Sequence, residues 1–169
     1  LFYQKKLIDN KCLIPQVLSS YIYRNCFIET WGQKEFFSFS KILNSNLPIY
    51  EKNILIPLNY KKNKKIKLAF LSSDIKNFHS ITYFLKTVLL NYDKNKFEVS
   101  LILNSDQDDF TAKEFMSLCD GSINIKDLND IDSINKIRQN KYDIIVDLMG
   151  VSSSNRLVLF KNRIAPIQA

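Results

Sequence analysis

The sequence predicts an α/β protein built on a Rossmann-like, mostly parallel sheet, with a short helical segment before it. From Ile66 onward, segments with the pattern of buried strands alternate with segments of helical periodicity. Repeated strand–helix–strand units of this length favour a parallel sheet with right-handed crossovers. Hydrophobic residues make up 46% and charged residues 24% of the 169 residues, which is the composition of a folded domain rather than a disordered chain.

Residues 1–46 are the predicted helical segment. Apolar residues recur at spacings of three and four through Leu13–Ile22 and again through Phe36–Leu43, which is the spacing of a helix with one buried face. Two helices joined near Glu29–Gly32 would fit this pattern. We expect Trp31 and the phenylalanines to pack in the core, because apolar stripes at helical spacing mostly pack.

Residues 47–65 are predicted as an extended linker, because they contain two prolines and the lysine run Lys61–Lys65. Residues 66–169 form the predicted sheet domain. Its elements in order are strand Ile66–Leu71, helix Ile81–Leu90, strand Phe97–Leu103, helix Thr111–Leu118, strand Ser122–Ile125, helix Asp132–Gln139, strand Tyr142–Leu148 and an extended segment at Ala165–Gln168. Thr111 is the expected N-cap of its helix, and Ser122–Ile125 is expected at the sheet edge.

Charge and cysteine usage exclude several classes of function. The net charge of +7 is concentrated in the lysine run, and a basic run without interleaved aromatics is typical of solvated surface, so we expect no nucleic-acid partner. Three widely spaced cysteines with one histidine predict no metal site and a reduced, cytoplasmic protein. No stretch approaches the ~18 apolar residues of a membrane span, so we expect no membrane partner.

The sequence also predicts that no cofactor is bound. The first strand is followed by Ser72-Ser73-Asp74 instead of a G-x-G-x-x-G loop, and the chain has three glycines. Close approach of backbone to a pyrophosphate needs glycine, so a dinucleotide is not expected. The P-loop, nucleophile-elbow and zincin motifs are absent as well.

Two loops carry the candidate functional residues. The first follows the first strand and holds His79, the single histidine of the chain. The second follows the strand that ends near Leu148. The candidates for substrate binding are Ser73, Asp74 and Asn77 in the first loop and Gly150, Ser152 and Asn155 in the second.

Both loops should open on the same edge of the sheet, because parallel strands end on one side and ligands bind beyond their carboxyl ends. We therefore expect one cleft, in which His79 is the candidate catalytic residue, as a proton acceptor or as a hydrogen-bond partner of a sugar or phosphate oxygen. Ser152 and Asn155 would orient the substrate. Asp147 could bond neighbouring backbone donors or belong to the site.

The order of several motifs resembles one enzyme family. The motifs are Ile66-Lys67-Leu68-Ala69-Phe70-Leu71-Ser72-Ser73-Asp74, His79-Ser80, Tyr83-Phe84-Leu85, Phe97-Glu98-Val99, Lys136-Ile137-Arg138, Tyr142-Asp143-Ile144-Ile145-Val146-Asp147-Leu148-Met149-Gly150, Asn155-Arg156-Leu157, Phe160, Arg163 and Ala165-Pro166-Ile167-Gln168. In this order they resemble the start of the catalytic region of O-linked N-acetylglucosamine transferases and the related Spindly-type enzymes. The likeness runs from Ile66 to Ala169.

The resemblance implies a two-lobed GT-B fold behind tetratricopeptide repeats. Such enzymes transfer a sugar from a UDP or GDP donor, for example UDP-N-acetylglucosamine, to serine or threonine hydroxyls of an acceptor protein. Residues 66–169 would then be an incomplete N-terminal lobe, with His79 at a histidine of the cleft wall. The nucleotide pocket lies mainly in the C-terminal lobe, so this chain alone is expected to be inactive.

Two departures from the family pattern fall in the candidate loops. One residue more than the common spacing separates Asp74 from His79, and Gly150-Val151-Ser152 replaces the usual Gly-His-Thr or Gly-Tyr-Thr. Two other functions stay open. One is a non-catalytic protein-interaction module, and the other is a small-molecule-binding domain that a ligand would stabilise against heat.

Overall fold

The computed structural model describes residues 2–10, 13–51, 55–57, 64–106, 110–152 and 154–169, and the statements below refer to these. The chain divides into two compact units. A helical unit comprises Leu1–Ile49 and Gly150–Lys161, and a sheet unit comprises Tyr50–Met149 and Asn162–Ala169. The predicted domains 1–46, 47–65 and 66–169 stay a prediction, and in these units Gly150–Lys161 groups with the N-terminal helices.

The described residues form seven helices and five strands. In chain order these are α1 Phe2–Asp9, α2 Pro15–Asn25, α3 Gln33–Asn46, β1 Ile66–Ser72, α4 Ser80–Asn91, β2 Phe97–Leu103, α5 Phe110–Leu118, β3 Gly121–Asn124, α6 Asp130–Gln139, β4 Ile144–Asp147, α7 Leu157–Lys161 and β5 Ile167–Gln168. None of these helices is long and apolar enough to span a bilayer.

The helical unit has its own small core. Pro15 begins α2 at a position where its missing N–H costs no hydrogen bond, and α2 and α3 bury Leu18, Ile22 and Leu43 against each other. Trp31 packs against this core as expected. Burial of the phenylalanines was partly a wrong prediction, because Phe36 and Phe37 are 41% and 60% exposed.

Local contacts explain the two exposed phenylalanines of α3. The ammonium of Lys41 lies 4.5 Å from the ring centroid of Phe37, and the ring of Phe36 meets Trp31 edge-on at 6.3 Å. Cation–π and edge-to-face contacts of this kind keep aromatic rings on a surface without burial. Helical periodicity identified the helix, but it did not say which turns face the core.

The sheet unit confirms the predicted fold class. Its strand order is β3-β2-β1-β4-β5, and every pairing is parallel. The short strand β3 lies at the edge, as predicted. The helices α4 and α5 cover one face of β1 and β2 over a cluster that includes Leu85, Leu101 and Phe115, each at most 4% exposed.

Two local predictions need correction or fall outside the described residues. Thr111 is not an N-cap, because α5 already includes Phe110 and Thr111 is therefore its second residue. Within the predicted linker, residues 52–54 and 58–63 lie outside the described residues; Leu55–Pro57 has no helix or strand. The helix α7 was not predicted, since five residues are too few to show a period.

The register of the sheet fixes where the first candidate loop lies. Ser72 of β1 pairs with Leu103 of β2, and Leu71 pairs with Asp147 of β4. The carboxyl ends of these three strands therefore lie along one edge. The loop after β1 starts at this edge, which is the ligand-binding edge of open parallel sheets.

Candidate functional site

Hydrogen bonds between residues close in sequence shape the loop between β1 and α4. The Asp74 N–H donates to Ser72 Oγ over 3.0 Å, and the Lys76 N–H donates to the Asp74 carbonyl over 2.9 Å. Phe78 has a φ of 59°, in the left-handed region. These turns place Asp74 and His79 beside each other although four residues separate them.

His79 is the N-cap of α4. Its backbone is extended, with φ −96° and ψ 138°, and its Nδ1 accepts a hydrogen bond from the Ile81 N–H over 3.4 Å. Thr82 holds the other side of this turn, because its N–H and its hydroxyl both donate to the His79 carbonyl, over 3.1 and 2.6 Å. The ring is therefore fixed at the start of the helix while a third of the side chain stays exposed.

Asp74 faces the other ring nitrogen. Its Oδ1 lies 3.9 Å from His79 Nε2 and 3.2 Å from Lys76 Nζ. The carboxylate side chain is 17% exposed, so solvent screens these interactions only in part. The loop thus gathers an acid, an imidazole and an ammonium at the end of β1.

Ser73 and Asn77 complete the first loop. Ser73 is 7% exposed, and its buried Oγ has no hydrogen-bond partner among the described residues. A buried hydroxyl without a partner is costly, so Ser73 could bond a polar ligand atom. Asn77 is exposed, and its Oδ1 accepts from the Phe78 N–H over 3.0 Å, which supports the left-handed turn at Phe78.

The second candidate loop lies in the helical unit. Gly150 has a φ of +54°, and a Cβ there would meet nothing within 4 Å. The Ser152 hydroxyl is buried without a partner among the described residues. The Asn155 side chain makes its hydrogen bonds within the helical unit. Its Nδ2 donates to the Ser152 carbonyl over 2.5 Å and to Ser19 Oγ over 3.1 Å. Among these three candidates, Ser152 therefore has the polar side chain without a hydrogen-bond partner in the described residues.

The structure brings together Asp74, Lys76 and His79. The prediction that the loops at His79 and Ser152 line one cleft stays a prediction. Asp147 bonds a neighbouring backbone donor, one of the two roles expected for it, since its Oδ1 accepts from the Met149 N–H over 2.9 Å. Sequence reasoning missed Lys76, although its position two residues after Asp74 in a turn could have indicated the pair.

A groove of about 300 Å³ opens next to this loop, between α4 and α5. Phe78 and Tyr83 line it and are 85% and 65% exposed. The ion pair of Lys86 and Glu114, at 2.6 Å, crosses from one helix to the other. No group of three or more metal-ligating side chains occurs within the described part of the chain.

Comparison with known proteins confirms the resemblance noted from the sequence. The chain is 29% identical over 111 residues to an Arabidopsis thaliana protein described as a probable UDP-N-acetylglucosamine–peptide N-acetylglucosaminyltransferase, SPINDLY, a match that covers 62% of this chain and 12% of that protein. No protein-family model matches the chain.

A solved structure supports the fold. A mutant O-GlcNAc transferase of Thermobaculum terrenum matches with a TM-score of 0.80 at 19% identity, over 91% of this chain and 30% of that one. This likeness shows that the parallel sheet and its helices have the architecture of a GT-B-like lobe. The chain thus spans less than a third of each of these two proteins.

Proposed function

We propose that this chain is the N-terminal part of the catalytic region of a protein O-glycosyltransferase. The enzyme would transfer N-acetylglucosamine or fucose from a nucleotide sugar, such as UDP-N-acetylglucosamine, to serine or threonine hydroxyls of acceptor proteins in the cytoplasm. One observation carries the proposal: the sequence match and the structural match, found independently, both lead to glycosyltransferases of the O-GlcNAc type.

Within this proposal, His79 is the catalytic residue contributed by the loop after β1. Its position at the carboxyl edge of the sheet and its partly exposed ring support a contact with substrate. Substrate binding is assigned to Ser73, Asp74, Asn77, Gly150, Ser152 and Asn155. The buried hydroxyls of Ser73 and Ser152 are the best supported of these, because each still requires a polar partner.

The donor diphosphate needs more than these residues supply. Glycosyl transfer requires stabilisation of the departing nucleoside diphosphate by fixed cations and backbone donors, and near-attack placement of donor and acceptor. A single acid–base group contributes only about 10²–10⁴-fold. We therefore assign the diphosphate to a nucleotide-binding lobe outside this chain, with no resident metal or cofactor, and expect no transfer by the 169 residues alone.

The test is a transfer assay on the product of the whole open reading frame that encodes this chain. Labelled UDP-N-acetylglucosamine and GDP-fucose are offered in turn with serine- and threonine-containing acceptor peptides. We expect label from one donor on the peptide, and a loss of about 100-fold in the His79→Asn variant, the size expected when one hydrogen-bond donor or one acid–base group is removed. This variant keeps a side chain able to cap α4. Absence of transfer from both donors would overturn the proposal, and full activity of the variant would overturn the catalytic role of His79.

The interaction-module alternative is favoured by one specific observation. The aromatic rings of Phe78 and Tyr83 line one groove and are 85% and 65% exposed, and contiguous exposed apolar patches often mark protein contacts. In that case His79→Ala would leave partner affinity unchanged. Replacement of Phe78 and Tyr83 by serine would abolish it.

A further inference from the structure

We propose that Asp74 is a positioning residue that keeps the proton of neutral His79 on Nε2, so that the imidazole meets the substrate as a hydrogen-bond donor and not as a proton acceptor. This inference rests on the proposed function for its substrate. The arrangement of the ring does not depend on that function.

The N-cap favours one state of Nδ1, the one without a proton. A backbone N–H can only donate, and the Ile81 N–H points at His79 Nδ1 over 3.4 Å. While this long bond is made, Nδ1 presents its lone pair and the proton of the neutral ring lies on Nε2, so the cap favours this tautomer. A proton on Nδ1 would face the Ile81 N–H and break the cap.

Asp74 supports the same tautomer from the other side. Its Oδ1 lies 3.9 Å from Nε2, which is too long for a hydrogen bond but close enough for the negative charge to favour a proton on the near nitrogen. Lys76 Nζ also lies 3.2 Å from this oxygen, but the ammonium is more than half exposed, and the carboxylate keeps its place beside Nε2 in the turn without it.

The two contacts leave the neutral ring with no free lone pair. To take the proton of an acceptor hydroxyl, His79 would have to release the Ile81 N–H. Its Nε2–H, in contrast, can donate to a sugar, phosphate or acceptor oxygen that enters beside Asp74. The proton released in the transfer must then leave through another group or with the departing phosphate.

The single histidine makes the test direct. In the chain labelled with ¹⁵N-histidine, both signals of the neutral ring belong to His79, and their shifts and couplings report the tautomer. We expect the wild type to hold the proton on Nε2, Asp74→Asn and Asp74→Ala to shift the ring to a tautomer mixture, and Asp74→Glu to restore most of the original state. Lys76→Gln is the matched control and should leave the tautomer unchanged.

Two results would overturn the inference: a proton on Nδ1 in the wild type, or the same tautomer population in the wild type and in both variants without charge. These readings do not involve sugar transfer. If the transfer assay fails while the tautomer follows Asp74, the proposed function is lost and the positioning role remains. If transfer is observed and the tautomer ignores Asp74, the opposite holds.

Discussion

His79 caps α4, a structural role that its position in the sequence did not indicate. Histidine is not among the preferred N-cap residues, yet its ring nitrogen satisfies one of the free N–H groups at the start of α4. Phe78, the residue before the cap, lies in the left-handed region with a φ of 59°. A loop histidine could be predicted as a candidate site from its place after a strand, but its capping role depends on side-chain geometry.

Substitutions at His79 should separate capping from chemistry. We expect His79→Ala to lower the free energy of unfolding by about 0.5–1 kcal/mol, because the Ile81 N–H loses its acceptor, while His79→Asn stays close to wild type. Urea denaturation of the three proteins measures this. Equal stability of the alanine and asparagine variants would show that the cap contributes nothing.

Asp120 and Tyr92 form a hydrogen-bonded pair near the amino ends of β2 and β3. Burial and the hydrogen bond to Asp120 raise the pKa of Tyr92 to about 12, and the phenol donates to Asp120 Oδ2 over 2.8 Å. Burial alone would raise the pKa of Asp120, but bonds from the Val99 N–H and from Tyr92 hold it below its usual value.

The Asp120→Asn variant should change the titration of Tyr92 in alkali and the pH dependence of stability in acid. Loss of the carboxylate should lower the Tyr92 pKa, which phenolate absorbance measures in an alkaline titration. Because the folded pKa of Asp120 lies below its unfolded value, its stabilisation is present at neutral pH and is lost as the pH falls through the folded pKa. The stability difference between wild type and variant should therefore shrink in acid; a constant difference would contradict this assignment.

At the scale of elements, α6 is tied to its surroundings by Arg138. Its guanidinium donates to the backbone carbonyls of Arg163 and Asn162, over 3.1 and 2.5 Å, and pairs with Glu51 at 2.5 Å. Arg163 has a φ of 56°, so these bonds hold a strained turn just before β5. The planar fork of arginine suits several acceptors at once.

Removal of this side chain should loosen the C-terminal strand. We expect Arg138→Met to cost about 2–3 kcal/mol, since two carbonyls lose charge-assisted bonds, and to increase hydrogen exchange at Ile167 and Gln168. Glu51→Gln removes only the ion pair with a half-exposed carboxylate and should cost less than about 1 kcal/mol. Similar losses in both variants would place the stabilisation in the ion pair instead.

The elements of the sheet could be predicted because their patterns are strong. Alternation of buried strands and helices from Ile66 to Gln139 located α4, β2, α5, β3 and α6 to within about two residues, the accuracy expected for periodic segments. Three features were not predicted: the exposure of Phe36 and Phe37, the interior position of Thr111 and the short helix α7. Side-chain contacts decide the exposure of the two phenylalanines. The geometry of the chain decides where α5 and α7 begin.

At the scale of the whole molecule, the predicted fold class and the family resemblance agree with the comparisons. Fold alone does not imply function, so within the proposed function the catalytic role depends on the residues at the carboxyl edge of the sheet. Asp74, Lys76 and His79 are the described side chains whose proximity the structure shows there. The roles of Gly150, Ser152 and Asn155 depend on the loop of the helical unit and stay predictions.

The most direct test is the structure of the open-reading-frame product bound to its nucleotide sugar and an acceptor peptide. We predict that His79 Nε2 lies within hydrogen-bond distance of a substrate oxygen, roughly 2.7–3.2 Å, with Nδ1 still accepting from the Ile81 N–H. A substrate bound away from the loop after β1, with the imidazole touching protein alone, would contradict it.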